Sequence, residues 1–203
     1  MKNLIFVFSI ITTLAVVSCN SNSSSKDNIS NMEHDSMPVQ ENTIADMNMK
    51  VVATTFTNVD PAFSTYMQSL VKDYLALKNA LINENETAAS STTVKMDKAL
   101  KGIDKSLLSE EQKKVYNEIE EDLKEHVEHI SKSKIEHQRE HFAMMSKDMY
   151  DLVKAFGAGM TLYHDHCPMY KDGSMWLSET KEIKNPFYGY KMMTCGSVEE
   201  MMK

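Results

Sequence analysis

The segment that most limits the fold runs from Ile135 to Phe156. Ile135, Gln138, Phe142, Met145, Met149, Leu152 and Phe156 recur at steps of three and four, which sets them on one stripe of an α-helix. Gly157 and Gly159 follow at once, and glycine just past such a stripe closes a helix because it accepts the backbone conformation of the final turn. A helix of this length can bury its stripe only against other packed elements, so the rest of the chain must supply them.

Three further helices are predicted upstream. Asp60-Pro61 is a capping carboxylate followed by proline in the first turn. It opens a stripe of Phe63, Met67, Leu70, Tyr74, Leu77 and Leu81. A weaker stripe is Ala89, Thr92, Met96, Ala99 and Ile103. Ser109 and Gln112 have capping-box spacing and open a helix with Val115, Ile119, Leu123, His126 and Ile130 on one face. Ser133 and Glu136 repeat that spacing ahead of the Ile135 helix. With short connections, the four helices imply an all-α, antiparallel four-helix bundle. Beyond Gly159 no strand alternation is evident, and Asp172-Gly173, Asn185-Pro186 and Tyr188-Gly189-Tyr190 are turn signals. The expected C-terminal part is an irregular flap rich in Cys, Met and His, held to the bundle by Trp176, Leu177, Phe187 and Tyr188.

The N-terminal part reads differently. Leu4 to Val17 is an apolar run behind Lys2, too short to span a membrane and the right size for a secretory signal. It ends in Val16-Val17-Ser18-Cys19, which resembles a bacterial lipoprotein signal with Cys19 as the lipidated residue. Residues 1–19 are therefore expected to be a signal, 20–59 a Ser- and Asn-rich flexible tether, and 60–203 the folded domain. The tether carries Met32, His34, Met37, Met47 and Met49, read as part of a solvated linker in a Met-rich protein or as an arm for soft cations. The expected setting is the cell envelope of a Gram-negative bacterium, lipid-anchored and facing the periplasm. A net charge of −7 without a basic stripe argues against a nucleic-acid partner.

Candidate chemistry gathers in two places. Cys167 and Met169 lie in one limb of the C-terminal part, with His164 and His166 beside them; Met192, Met193 and Cys195 lie in the other. Thiolate and thioether sulfur favour copper(I) or silver(I), and zinc less, because zinc leaves the methionines without a role. The competing reading is a disulfide between Cys167 and Cys195 in an oxidising compartment, worth roughly 3.5 kcal/mol by loop closure. The residues leave the two readings level. The second place is the third helix junction, with His126 and His129 before it and His137 and His141 after it. His137 and His141 have ligand spacing on one helical face, and antiparallel packing can bring the pairs together. They rank as secondary metal candidates, since a solvated or capping histidine is the commoner case.

The order Leu162-Tyr163, Cys167-Pro168-Met169, Trp176-Leu177-Ser178, Asn185-Pro186-Phe187-Tyr188-Gly189 and Met192-Met193-Thr194-Cys195-Gly196 resembles an exported bacterial domain family of unknown function. Arg139, Phe142 and Ser146 fit the same pattern. Members of that family occur as stand-alone lipoproteins and at the C-terminus of periplasmic adaptor subunits of copper/silver efflux systems. The resemblance implies a helical domain with a copper-type role and points to Cys167, Met169, Met193 and Cys195; His164 and His166 lie outside it. The expected function is a membrane-tethered periplasmic soft-metal binding protein that buffers ions or delivers them to an efflux adaptor. The alternative is a disulfide-stapled helical module that binds an envelope partner. No nucleophile elbow, catalytic carboxylate pair or phosphate loop is present in the sequence, so an enzyme is not expected.

Overall fold

A computed structural model describes residues 49–203. The elements in chain order are β1 (Lys50–Val52), α1 (Pro61–Ile82), α2 (Glu86–Lys101), α3 (Glu110–Lys132), α4 (Ile135–Phe156), β2 (Leu162–Cys167), β3 (Ser174–Ser178) and β4 (Ser197–Met202). Cys19, the signal and residues 20–48 of the tether lie outside the described residues. Among the described residues no helix is long and apolar enough to cross a membrane.

The helical half follows its local signals. The Asp60 carboxylate accepts the Ala62 amide ahead of Pro61, and Ser109 and Gln112 form the full reciprocal capping box. Gly157 ends α4 at φ +81, in the region glycine enters without strain. Gln138, Phe142, Met145, Met149, Leu152 and Phe156 are all buried along α4. Its start differs from the expected box: Ser133 ends α3, and Lys134 caps α4 without a side-chain bond. Glu86 from α2 takes over, accepting the Ile135 amide at 3.2 Å and pairing with Lys134 at 2.9 Å.

The α3 stripe is rotated from the expected one. Tyr116, Glu120 and Val127 are buried with Leu123 and Ile130. Tyr116 packs edge-on against Phe63 and hydrogen-bonds Tyr66 at 3.0 Å, while Lys105 and Lys124 neutralise the Glu120 carboxylate. On α2 the buried set is Ala89, Thr93, Met96 and Leu100, one residue away from the expected Thr92 and Ala99.

The all-α expectation is overturned: the C-terminal part is not an irregular flap but forms three strands that join β1 in a four-stranded mixed sheet in the order β1-β4-β2-β3. β2 pairs antiparallel with both β3 and β4, and β1 runs parallel to β4. Three features hide the strands. A register irregularity between His164 and Asp165 breaks the two-residue alternation of β2. One buried slot in β2 and one in β4 are filled by the acids Asp165 and Glu200. On β3, Trp176, Leu177 and Ser178 are buried in succession, so no polar face alternates with them.

Sheet and bundle share one core. The Leu177 amide donates to the Tyr74 hydroxyl at 3.0 Å, and that hydroxyl bonds Ser146 at 2.8 Å, linking β3, α1 and α4. Residues 50–59, placed in the tether on sequence grounds, belong to this unit. Beyond the β1–β4 pairing, the amides of Thr55 and Phe56 donate to the carbonyls of Lys154 and Ala155, and Phe56 packs on Phe156.

Candidate functional site

The two-residue link Ser133–Lys134 folds α4 back along α3 and brings the four junction histidines into contact. His137 Nε2 lies 3.4 Å from His129 Nδ1, and His126 Nδ1 lies 3.1 Å from His141 Nδ1. The rings of His129 and His141 stack with centroids 4.1 Å apart. One nitrogen from each of His129, His137 and His141 falls within 4.8 Å of the others. Two ligands of a tetrahedral ion bound at about 2.0–2.1 Å stand about 3.3 Å apart; the 3.4 Å His129–His137 separation is close to that, and the 4.8 Å limit for the three is wider.

The surroundings disfavour protonation of two of the four rings. His141 is buried, and burial together with the neighbouring His129, His126 and His137 rings pushes its pKa down to about 4. Burial also lowers His126. These rings are neutral at neutral pH and keep the lone pair that a metal needs. Glu140 lies 3.0 Å from His137 Nδ1 and is itself paired with Lys171 at 2.8 Å. A proton held on Nδ1 by that carboxylate leaves Nε2 facing His129 as the donor atom.

The expected sulfur site is assembled in part. Cys167 at the end of β2 and Cys195 before β4 bring their Sγ atoms within 2.9 Å, and both are free cysteines. The Cys167 sulfur and burial raise the Cys195 thiol above its ordinary pKa, which disfavours the thiolate that metals bind. Met169 lies exposed in the turn after β2, where its carbonyl accepts the Tyr188 hydroxyl at 2.8 Å. Met193 is half-buried, and its carbonyl accepts the Asn185 amide at 2.7 Å. Among the described residues, no imidazole or carboxylate gathers with the two thiols into a ligand group. His164 belongs to a different cluster: its Nδ1 is 3.3 Å from Glu200, which also binds Lys50 and accepts the Tyr150 hydroxyl at 2.6 Å. Burial opposes ionisation of Glu200, but Lys50, Tyr150 and His164 outweigh it and hold the pKa at about 2. His166 lies 3.4 Å from Glu199, on the face of β2 opposite Cys167.

The remaining motif residues fasten the C-terminal limb to the bundle. Arg139 donates from Nε to the Pro186 carbonyl at 3.0 Å and from Nη2 to the Leu81 carbonyl at 3.2 Å. Phe142 packs against Phe187, which stacks on Tyr170 with centroids 4.6 Å apart. Buried Asn185 donates to the Cys195 carbonyl at 2.7 Å and accepts the Phe187 amide at 2.8 Å. Gly196, at φ +144, is a point of close approach, since a Cβ there would lie 2.8 Å from Trp176 Cη2 and 2.9 Å from the His166 carbonyl.

Sequence reasoning did not include Glu140 or Asp148 among the site residues. Asp148 lies 3.5 Å from His126 Nε2, and burial, then Asp122 and Asp151, push its pKa up to about 7. Helical spacing was the available signal: Glu140 is three residues from His137 and Asp148 seven from His141.

Residues 70–161 match the model of a family described as "Protein of unknown function (DUF3347)", so this stretch carries a domain of unknown function. The match covers most of the helical half and stops before the thiol pair. Neither a curated protein nor a solved structure matches the chain.

Proposed function

We propose that this protein binds a copper-type transition-metal ion at the histidine cluster between α3 and α4, as a carrier rather than an enzyme. The observation that carries the reading is the convergence of His129, His137 and His141, with ligand atoms within 4.8 Å of one another. Imidazole suits copper and zinc, and the Irving–Williams order places Cu(II) above Zn(II) for one donor set. The lipoprotein-like junction at Cys19 supports a carrier tethered in the periplasm of a Gram-negative cell, where it buffers the ion or passes it to an efflux adaptor.

The test is competition of the full chain against a chelator of known affinity, with Cu(II) and with Zn(II). One ion per chain is expected, held more tightly for copper. His129→Ala and His137→Ala remove side chains outside the core, and each should weaken binding at least tenfold without unfolding the bundle. Cys167→Ser with Cys195→Ser should leave this site intact. Wild-type affinity in both histidine variants would overturn the assignment, and loss of binding only in the double serine variant would return it to the sulfur limbs.

One observation favours a second reading. The 2.9 Å approach of Cys167 and Cys195 fits a staple across the C-terminal limb better than a sulfur site lacking further ligands. In that reading the domain is a disulfide-stapled module recognising an envelope partner.

A further inference from the structure

We infer that His126 and Asp148 form a positioning relay behind the metal ligand His141, an inference that rests on the histidine-cluster reading above. Two otherwise unexplained features motivate it. His126 and His141 face each other through Nδ1 atoms at 3.1 Å, a contact that is a hydrogen bond only when one ring is protonated at Nδ1 and the other is not. Asp148 Oδ2 is buried and accepts no hydrogen bond, yet lies 3.5 Å from His126 Nε2. A buried carboxylate oxygen without a partner is costly, so its retention beside an imidazole calls for a role.

A single assignment of protons resolves both. His141 carries its proton on Nδ1 and donates it to the lone pair on His126 Nδ1. His126 then carries its own proton on Nε2 and aims it at Asp148 Oδ2. His141 Nε2 is left as the free lone pair and becomes the metal-binding atom. A cation on Nε2 withdraws electron density from the ring, strengthens the Nδ1–H donor, and draws the relay toward full hydrogen-bond distance. Glu140 does the corresponding work for His137 from the solvent side, at 3.0 Å from its Nδ1. Two ligands on α4 are thus oriented by carboxylates of the same helix, one directly and one through an intervening ring. No other arrangement of protons gives His126 Nδ1, His141 Nδ1 and Asp148 Oδ2 a partner each while leaving His141 a metal-binding nitrogen.

The relay makes His126 a positioning residue and not a ligand, which separates it from its three neighbours. The experiment uses the full chain loaded with Zn(II) or with Co(II). Long-range nitrogen–proton correlation spectra of the Zn(II) form should show His141 protonated at Nδ1 and His126 at Nε2. His126→Ala and Asp148→Asn should each weaken Zn(II) binding about 10- to 100-fold while one ion still binds. Asp148→Glu should recover part of the loss. The visible spectrum of the Co(II) form should keep the wild-type band shape in these variants, because the ligand atoms are unchanged. His141 metallated through Nδ1, or His126→Ala binding within twofold of wild type, would overturn the relay. So would a Co(II) spectrum altered by His126→Ala in the manner of a lost ligand. Failure of wild type to bind any ion would refute the metal reading itself, a different result from failure of the relay.

Discussion

The buried acid in the middle of β2 allows a sharp test of how the sheet is built. Asp165 has no exposed surface and sits opposite Trp176 in the β2–β3 register, where the indole approaches its carboxylate without reaching full hydrogen-bond geometry. Burial pushes its pKa from 3.8 up to about 8, against the opposing pull of the Lys78 ammonium, which is engaged by Ser178 and Glu179. The native state therefore keeps a proton that the unfolded chain releases above about pH 4. Stability contributed by neutral Asp165 is fully present below the unfolded pKa and is lost as pH rises toward the folded pKa. Each pH unit in that window shifts the unfolding equilibrium about tenfold, so pH 5 to pH 8 corresponds to about a thousandfold. Asp165→Asn keeps the side-chain shape and removes the ionisation. Urea unfolding of wild type and variant at pH 5, 6, 7 and 8 reads the difference, in which titrations common to both largely cancel. The variant should gain on wild type by about tenfold per pH unit and level off near pH 8. Parallel pH profiles would refute the reasoning, because Asp165 would then have to be ionised or solvated in the native state.

Phe142→Ala removes a fully buried ring stacked on Tyr74 with centroids 5.1 Å apart, and should cost about 3–5 kcal/mol in urea unfolding; a loss below about 1 kcal/mol would contradict that packing. Gly196→Ala adds a methyl where Trp176 and the His166 carbonyl already crowd a positive-φ glycine, so thermal melting should show a cost of about 1–3 kcal/mol and near-ultraviolet dichroism a disturbed tryptophan. Under oxidising conditions Cys167 and Cys195 should bridge and raise stability by about 3.5 kcal/mol over the reduced chain. Thiol counting by mass with paired denaturation curves checks this, and two labelled thiols in the oxidised, folded protein would refute it.

What could be read from the sequence was what local rules determine. Asp60-Pro61, the Ser109–Gln112 box, the α4 stripe and Gly157 each act within a few residues, and each stands as expected. The α3 face turned because Tyr116 and Glu120 are buried through partners on other elements, Phe63, Tyr66 and Lys105, which spacing along α3 cannot reveal. The sheet was hidden for the same reason. Glu200 enters a buried slot only because Lys50, Tyr150 and His164 arrive from three other elements to meet it. The meeting of the histidine pairs was legible because helical spacing and antiparallel packing sufficed to bring them near; the approach of Cys167 to Cys195 was expected from thiol chemistry alone, and the β2–β4 pairing that produces it was not read. Asp148 was not, since its role depends on a ring contributed by α3.

Strand β1 has a consequence for the order in which this chain can assemble. Among the described residues, Lys50 to Val52 pair with Glu200 to Met202, partners 150 residues apart, and the next anchors are carbonyls at the end of α4. The segment emerges from the ribosome before the helices, yet its strand partner among the described residues is missing until β4 has been added along β2. Closing so long a loop is entropically expensive and yields only three residues of ladder, so docking of β1 follows completion of the sheet rather than starting it. A nascent chain paused before Ser197 therefore holds β1 without the strand it pairs with among the described residues, and β4 is the one that captures it.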